Sequence, residues 1–325
     1  MNIPKDFTTI RTAANFHSVA LETFRFQYET VSAYRKFCDL LQVAPDTIQQ
    51  LEDIPFLPIQ FFKSKKIIAQ SFESEKLFKS SGTTGVVTSK HHVARLENYR
   101  KSFRKGFEFF YGSPSEYTIL ALLPSYLSQG NSSLVYMVDR LIKDSYSEHS
   151  GFYLDNLTEL CEKLDLLEAQ QQKTILLGVS YALLDLIEKR QFSLKHTLVM
   201  ETGGMKGRRK ELIKPELHEI LKQGFGVSKI HSEYGMTELL SQAYSTGNGI
   251  YRCPPWMKIN TRDTEDALTL ITQKTGGINV IDLANTYSCS FIATQDLGKV
   301  HPDGSFEVMG RFDNSDIRGC NLMVL

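Results

Sequence analysis

The sequence has no excess of either charge. Lys and Arg together number 37, as do Asp and Glu, so the formal net charge at pH 7 is zero. Chains that bind nucleic acid or an anionic membrane surface usually show a basic excess or a basic patch. The charge balance therefore argues against both kinds of partner, and we expect no nucleic acid and no membrane surface.

Cysteine and long apolar runs are also scarce. The five cysteines are Cys38, Cys161, Cys253, Cys289 and Cys320, and no two stand at Cys-x-x-Cys spacing. This odd, scattered set argues against a structural zinc site and against a disulfide framework. No run approaches the length of a transmembrane helix, and the first residues lack the apolar core of a signal peptide. We expect a cytoplasmic protein with no membrane span.

The pattern of apolar residues predicts helices at 8–41 and 93–110, with a Pro-punctuated connector at 51–62. From residue 117 onwards, apolar strands alternate with helices. Strands are predicted at 117–123, 173–179 and 196–201 and near 227–231, and helices at 181–190 and 209–222. Near-continuous apolar strands that alternate with helices predict an α/β fold, with parallel sheets covered by helices.

The sequence pattern changes after Pro254 and Pro255. Short strands are predicted at 268–272, 278–283, 290–294 and 305–309. We therefore divide the chain into an α/β core with an N-terminal helical region at 1–250, a smaller β-rich subdomain at 251–310 and a hinge-like tail at 311–325.

Three loops are expected at the carboxyl ends of the parallel strands, at 123–131, 201–207 and 232–238. Ligands of open parallel sheets bind at this edge. The loops therefore predict a single crevice lined by several segments.

The segment from Ser80 to Gly85, Ser-Ser-Gly-Thr-Thr-Gly, has little side-chain bulk and many donors. Such a segment can wrap its backbone N–H groups and hydroxyls around phosphate oxygens. It is not a Walker A loop, because no Gly-Lys-Ser/Thr follows. Without other motifs, a segment of this composition is more often an ordinary loop.

Other segments follow it in a fixed order: Tyr234-Gly235-Met236-Thr237-Glu238, Thr294-Gln295-Asp296, and Gly310-Arg311-Phe312-Asp313 leading to Arg318-Gly319. Together these segments resemble the adenylate-forming acyl ligases, a superfamily of acyl-CoA synthetases, luciferases and nonribosomal adenylation domains. Within it the chain resembles the LuxE-like acyl-protein synthetases of bacterial bioluminescence, through Leu123-Pro124-Ser125-Tyr126-Leu127, Glu201-Thr202-Gly203-Gly204-Met205-Lys206-Gly207 and Arg318-Gly319-Cys320. The resemblance covers about residues 50–325.

The resemblance implies that a carboxylic acid, a fatty acid in this family, is activated by ATP and Mg²⁺ as an acyl-adenylate, and that its acyl group is then passed to a thiol. The phosphates would be held by Ser81, Gly82, Thr83, Thr84 and Gly85, with Lys90 as a charged partner. Here Val86-Val87-Thr88-Ser89 precedes Lys90, where the family usually has x-Pro-Lys after the last glycine.

The resemblance also assigns the remaining nucleotide-site residues. Tyr234, with Gly235 beside it, would lie against adenine, and Gly203-Gly204 would let the backbone approach the same ring. Thr237 would contact the α-phosphate, and Glu238 would bind Mg²⁺. Asp296 would accept hydrogen bonds from the ribose, and Arg311 would contact ribose or phosphate.

Two features concern the end of the chain. Full-length acyl ligases have a C-terminal lid with a lysine that promotes adenylation, whereas this sequence stops at Leu325, so we expect the lid domain to be absent. LuxE-like enzymes take the acyl group onto a cysteine near the C-terminus, which corresponds to Cys320. Gly319 offers flexibility there and Arg318 could lower the thiol pKa. A structural cysteine packed beside the apolar end of the chain is the alternative.

Three other functions stay open. The acceptor could be CoA or a carrier protein, or the chain could be a non-catalytic subunit that binds nucleotide or acyl groups. Alternatively, Leu177-Gly178-Val179-Ser180-Tyr181-Ala182 resembles a nucleophile elbow, so Ser180 could act in a hydrolase with Asp282 and His301. For the acyl pocket we expect a 123–136 loop to supply Tyr126, Leu127, Leu134 and Tyr136.

Overall fold

The computed structural model describes residues 2–80, 87–124, 130–203 and 212–312. These residues form eight α-helices: α1 Ala13–Thr30, α2 Ser32–Leu40, α3 Phe61–Ser64, α4 Leu96–Tyr111, α5 Ser133–Asp144, α6 Leu157–Ala169, α7 Ser180–Lys189 and α8 Lys214–Phe225. Short 3-10 turns lie at Phe7–Thr9, Pro45–Thr47, Leu51–Asp53, Pro114–Glu116 and Leu283–Asn285. No described helix is both long and apolar enough to cross a membrane.

The same residues form fifteen strands. They are β1 Leu57–Pro58, β2 Lys76–Lys79, β3 Lys90–Val93, β4 Thr118–Leu122, β5 Gly151–Phe152, β6 Thr174–Val179, β7 Thr197–Thr202, β8 His231–Tyr234, β9 Ala243–Ser245, β10 Ile250–Arg252, β11 Met257–Arg262, β12 Leu270–Ile271, β13 Gly276–Asp282, β14 Phe291–Val300 and β15 Phe306–Arg311.

Thirteen of these strands form one mixed sheet in the order β12-β11-β13-β14-β15-β10-β9-β8-β7-β6-β4-β5, with β1 paired to β14. The part from β5 to β8 is parallel, whereas the rest of this order pairs antiparallel. The predicted fold class, a parallel α/β sheet followed by β-rich structure, is confirmed. The division at 250 and 310 stays a prediction, since the two parts share this sheet through β9 and β10.

The parallel strands are apolar because both of their faces are covered. Every residue of β4 and β6 is buried, and so is nearly all of β7. Helix α7 follows β6 directly and packs against α8 beside the sheet. Since parallel strands share a carboxyl edge, the segments that follow β4, β6, β7 and β8 all start at one side of the molecule.

Several predicted boundaries were wrong. The helical region expected at 8–41 is broken at Val31, whose extended backbone (φ −101°, ψ 95°) ends α1 and starts α2. The strand expected near 227–231 lies at His231–Tyr234, because Gly226 ends α8 in a left-handed conformation (φ 65°) and a short connection follows.

The prediction of a loop at 123–136 was also wrong for the second half of this range. Helix α5 begins at Ser133, with Ser132 as its cap. Tyr136 lies on this helix, is 2% exposed, and packs against Phe78 and Tyr99. Tyr136 therefore belongs to the core, and Leu134 lies on the helix; Tyr126 and Leu127 are outside the described residues.

Candidate active site

Seven predicted site residues lie outside the described part of the chain: Ser81, Gly82, Thr83, Thr84, Gly85, Gly204 and Cys320. The described flanks of the Ser/Thr/Gly segment form the hairpin of β2 and β3, in which Lys79 faces Lys90. Ser80 N donates to Ser89 O (3.1 Å), and Ser89 N donates to Ser80 Oγ (2.9 Å). The segment therefore starts and ends at one place, with Lys90 exposed beside it.

Tyr234, Asp296 and Arg311 meet at the junction of the parallel and antiparallel strands. Tyr234 ends β8, while Asp296 on β14 lies opposite Arg311 on β15. The Tyr234 hydroxyl donates to Asp296 Oδ2 (2.8 Å), and Arg311 Nε donates to Asp296 Oδ1 (3.3 Å). The fold thus brings together three residues that are 62 and 15 positions apart in the sequence.

The ring of Tyr234 is largely enclosed. It packs edge-to-face against Tyr251 and Phe306, at centroid distances of 6.0 and 5.7 Å. Burial and the Asp296 carboxylate raise the pKa of Tyr234 well above its ordinary value, so its hydroxyl stays protonated and acts as a donor. The contact with adenine expected for this residue stays a prediction.

The backbone of Thr237 and Glu238 is held by two buried side chains, His91 on β3 and Asn285 in a 3-10 turn. Thr237 O lies 2.8 Å from His91 Nδ1, and Glu238 O accepts from Asn285 Nδ2 (2.8 Å). His91 Nε2 lies 3.0 Å from Asn285 Oδ1, which links the two holders. We call His91 and Asn285 the carbonyl clamp.

Burial lowers the pKa of His91 to about 4, so its ring is neutral at pH 7. A neutral imidazole has one N–H, whereas both of its nitrogens face oxygen acceptors, so it fills one of these two bonds at a time. No sequence pattern points to His91 or Asn285, since nothing in the sequence shows which backbone carbonyls they contact.

Asp282 fastens the residues that follow Glu238. Its Oδ2 accepts from Leu240 N (2.7 Å) and Ser241 N (3.0 Å), and its Oδ1 accepts from Ser241 Oγ. Trp256 Nε1 donates to the hydroxyls of Ser241 and Ser102, at 3.0 Å each. These bonds fix the path of the backbone from Thr237 to Ser241.

Glu238 is the described carboxylate that suits a cation at this site. It is 5% exposed, and its pKa is raised by burial, against the opposing effects of the Ser89 hydroxyl and the charges of Arg311 and Lys63. No group of three or more His, Cys, Asp or Glu in the described part of the chain could hold a metal ion. A single carboxylate fits Mg²⁺ bound mainly through substrate phosphates and water.

A buried charged network lies beside the carboxyl end of β7. Glu201 is 1% exposed and accepts from Lys214 Nζ, which also donates to Tyr251 OH (2.6 Å). Burial alone would raise the pKa of Glu201, but the Lys214 charge and hydrogen bonds from His218, Lys214 and Ser232 lower it to about 2. The network ties α8 to β7 and β10.

Among the described residues Glu233 forms no ion pair, and the Lys214 charge lowers its pKa less than burial raises it. It accepts a short hydrogen bond from Thr202 Oγ1, and burial raises its pKa to about 7. Its Oε1 would lie 2.4 Å from a Cβ placed on Gly235, so any other residue at this position would require the Glu233 carboxyl group to move. This close approach favours glycine at position 235, independently of its predicted role in the nucleotide site.

The hydrolase hypothesis is wrong in its geometry. Ser180 is 2% exposed and donates to Gly203 O (2.8 Å), where Gly203 has a positive φ of 67°. Asp282 is committed to the 240–241 backbone, and His301 pairs with Glu307 at 3.0 Å. Ser180 therefore supports the turn after β7 rather than acting with an acid and a base.

The described cysteines are poor candidates for a nucleophile. Cys38, Cys161 and Cys289 are buried and Cys253 is partly buried. Burial raises the pKa of each thiol, to about 12 for Cys38. Since the thiolate is the reactive form, these four side chains are held in an unreactive state.

Comparison with known families tests the predicted family and class of enzyme. A family model described as acyl-protein synthetase, LuxE, matches residues 6–325. The chain belongs to this family. The LuxE resemblance drawn from the sequence is confirmed, and so is the expected class of enzyme, an acyl ligase.

Curated relatives are similar over nearly the whole chain. A long-chain-fatty-acid–luciferin-component ligase of Aliivibrio fischeri is 24% identical, over 93% of this chain and 85% of the relative. The protein of the same name from Vibrio harveyi is also 24% identical, over 92% of this chain and 84% of the relative.

Solved structures share the fold. A 2-hydroxyisobutyryl-CoA ligase in complex with 2-HIB-AMP and CoA superposes with a TM-score of 0.69 at 13% identity, over 94% of this chain and 72% of the ligase. ATP-bound MatB from Rhodopseudomonas palustris superposes with a TM-score of 0.53 at 19% identity, over 72% of this chain and 47% of MatB. The LuxE chain therefore has the fold of the adenylate-forming ligases, as the sequence predicted.

Proposed function

We propose that this LuxE-family protein uses ATP to activate a fatty acid and then transfers the acyl group to a thiol, with Cys320 as the candidate acceptor for delivery to a partner protein. In the first step a carboxylate oxygen attacks the α-phosphorus of ATP, the bond to the bridging oxygen breaks, and pyrophosphate leaves. In the second step a thiolate attacks the acyl carbon, AMP leaves, and the thiol proton passes to solvent.

The convergence of Tyr234, Asp296 and Arg311 beside the clamped Thr237–Glu238 backbone carries this proposal. A nucleotide needs a fixed polar edge, which the Asp296 carboxylate, ordered by two donors, provides. Glu238 would hold Mg²⁺, which masks phosphate charge when bound. The Ser/Thr/Gly segment, whose flanks meet at Ser80 and Ser89, would hold the phosphates together with Lys90.

The fatty nature of the acid is supported by the names of the two bacterial relatives, which are long-chain-fatty-acid ligases. Self-acylation at Cys320 is supported by the resemblance of the Arg318-Gly319-Cys320 ending to the LuxE-like family. Burial raises the thiol pKa of the four described cysteines, which disfavours each of them as the acceptor. The CoA ligase that shares the fold favours one second candidate, transfer to CoA.

The experiment is ATP–pyrophosphate exchange with Mg²⁺ and a series of carboxylic acids, followed by the intact mass of the protein. We expect exchange that depends on a long-chain acid, and a mass gain equal to one acyl group. The gain should disappear in Cys320→Ser and persist in the matched control Cys253→Ser. Exchange without a mass gain, together with acyl-CoA formation, would move the acceptor to CoA. Absence of exchange with every acid would refute the proposal.

A further inference from the structure

Two neighbouring strands bring three buried polar side chains together on one face of the sheet. Strands β8 and β9 pair so that Glu233 lies opposite Tyr244, and Gln242 stands two residues before Tyr244. A Cβ placed on Gly235 would contact Glu233 Oε1 and lie 3.3 Å from Gln242 Cγ, so these two side chains meet beside Gly235. The exposed fractions of Glu233, Gln242 and Tyr244 are 6%, 5% and 2%. We call these three residues the oxygen cluster.

Each member of the oxygen cluster has an oxygen atom without a partner among the described residues. The hydroxyl of Tyr244 and Oε1 of Gln242 are buried without a hydrogen bond. Glu233 accepts from Thr202 through Oε2, which leaves its Oε1 without a described donor. Buried polar atoms are nearly always paired, because an unpaired one destabilises the folded state. Three unpaired oxygens at one place therefore indicate a group that the chain itself does not supply.

The hydroxyl of Tyr244 lies near the Glu233 carboxyl group but does not bond to it. The ring of Tyr244 is held by Phe110 and Tyr111 at the end of α4, at centroid distances of 5.2 and 5.4 Å. Burial and then the charge of Glu233 raise the pKa of Tyr244 well above its ordinary value, so its hydroxyl keeps its proton. A group placed between the two side chains could bond to both of them.

The position of the oxygen cluster favours the acid over the nucleotide. Side chains alternate along β8, so Tyr234 and its partner Asp296 lie on the face opposite to the cluster. Adenine, which we expect to lie against Tyr234, would therefore not reach the cluster. Gly235 is partly exposed and precedes Thr237, the residue assigned to the α-phosphate, by two positions. The carboxylate of the acid would react at this α-phosphate, which places the first carbons of the acid near the cluster.

We propose that the oxygen cluster binds a hydroxyl group near the carboxyl end of the acid, so that the protein prefers hydroxy fatty acids to unsubstituted ones. This rests on the proposed function, because it names the substrate class of the same site. A hydroxyl both donates and accepts, so it can accept from Tyr244 while it donates to Gln242 or Glu233. An unsubstituted chain would leave these oxygens unpaired, and sites built around a substrate hydroxyl discriminate strongly for that reason.

The variant Tyr244→Phe tests the proposal, because it removes a hydroxyl that has no partner in the protein and keeps the ring. ATP–pyrophosphate exchange is measured with tetradecanoic acid and with its 2-hydroxy and 3-hydroxy derivatives. We expect the wild type to prefer one hydroxy acid by about tenfold or more in kcat/KM, and this preference to fall about tenfold in Tyr244→Phe and in Gln242→Leu. The control Tyr111→Phe should keep the preference, since the Tyr111 hydroxyl bonds His231 (3.3 Å). The melting temperature of Tyr244→Phe should not fall, because no bond within the protein is lost.

Several results would overturn the proposal. Equal kcat/KM for all three acids, or a preference that both variants keep, would mean that water fills the oxygen cluster. A preference for 2-aminotetradecanoic acid would assign the cluster to an ammonium group, and adenosine binding that weakens in Tyr244→Phe would assign it to adenine. A lower melting temperature of Tyr244→Phe would show that its hydroxyl is bonded within the protein.

Direct binding separates this proposal from the proposed function. The two hydroxy acids are titrated by calorimetry into the full chain, with adenosine present. If no acid supports exchange but a hydroxy acid binds the wild type and binds Tyr244→Phe about tenfold more weakly, the oxygen cluster stands and the function fails. If the three acids support exchange equally, the function stands and the oxygen cluster fails.

Discussion

At the scale of single residues, the carbonyl clamp connects the phosphate hairpin to Thr237 and Glu238. Replacement of His91 by Phe keeps a ring in the core but leaves Thr237 O without its donor. A buried polar group without a partner costs about 1–3 kcal/mol, which corresponds to roughly a ten- to hundredfold loss if it falls on the transition state. We expect kcat for exchange to fall by that amount and the Mg²⁺ requirement to rise.

His91→Gln, whose amide can donate to Thr237 O, should recover part of this activity. His231→Phe is the control. His231 is another buried histidine, and burial lowers its pKa to about 4, but it bonds Tyr111 instead of the site backbone. A folded His91→Phe protein with wild-type kcat and Mg²⁺ dependence would show that the clamp does not set the position of Glu238.

The raised pKa of Glu233 predicts that the stability of the protein depends on pH. Burial raises its pKa from 4.5 to about 7, so the folded chain keeps a proton that the unfolded chain releases near pH 4.5. The folded state therefore binds more protons between these values, and the free energy of unfolding falls as the pH rises, by about 3 kcal/mol for this group.

Glu233→Gln should abolish this loss. Its free energy of unfolding in urea should match the wild type near pH 4.5 and exceed it by up to about 3 kcal/mol above pH 7. The exposed substitution Glu52→Gln is the control. A difference between wild type and Glu233→Gln that does not change with pH would mean that the carboxyl group is already ionised in the folded protein.

At the scale of elements, two helical glycines test the packing of α4 and α8. A Cβ on Gly106 of α4 would meet nothing within 4 Å, whereas one on Gly224 of α8 would lie 2.6–2.7 Å from Ile187 on α7. Gly106→Ala should stabilise the protein by about 1 kcal/mol through helix propensity. Gly224→Ala should destabilise it by about 1–3 kcal/mol, because α7 and α8 must separate. Urea unfolding of both variants would measure this, and equal signs would contradict the packing of α7 on α8.

The sequence predicted strand positions well where both faces of a strand are buried. Strands β4 and β6 are continuous apolar runs, so their positions were found to within one residue. Strand β8 was misplaced because its four residues, His231 to Tyr234, are buried through polar partners and form no apolar run. Helices α5 and α6 were missed although Ser132 and Asn156 carry the expected capping side chains.

The candidate site was predictable only in part, for a related reason. Its motif residues are local in sequence and could be named from resemblance. The carbonyl clamp joins residues 47, 146 and 194 positions apart, and these pairings depend on how β3 and the 283–285 turn pack against each other.

At the scale of the whole molecule, the proposed nucleotide site draws on both halves of the long sheet, since Tyr234 lies on β8 and Asp296 on β14. Nucleotide binding should therefore stabilise the entire fold. At a hundredfold excess over Kd, MgATP should add about 2.7 kcal/mol, which is several degrees in melting temperature. Asp296→Asn should lose most of this shift, whereas Asp303→Asn, on an exposed turn, should keep it. An equal shift in Asp296→Asn would remove Asp296 from the nucleotide site.

The bonds of Trp256 have an optical consequence. It is the single tryptophan of the sequence, it is 3% exposed, and its indole N–H is shared between the hydroxyls of Ser102 and Ser241. Ser241 follows the clamped backbone of Thr237 and Glu238 by three residues. Fluorescence excited at the red edge of protein absorption therefore comes from one indole next to the proposed nucleotide site. The protein carries a built-in reporter, and stopped-flow emission can time each ligand's arrival without a label.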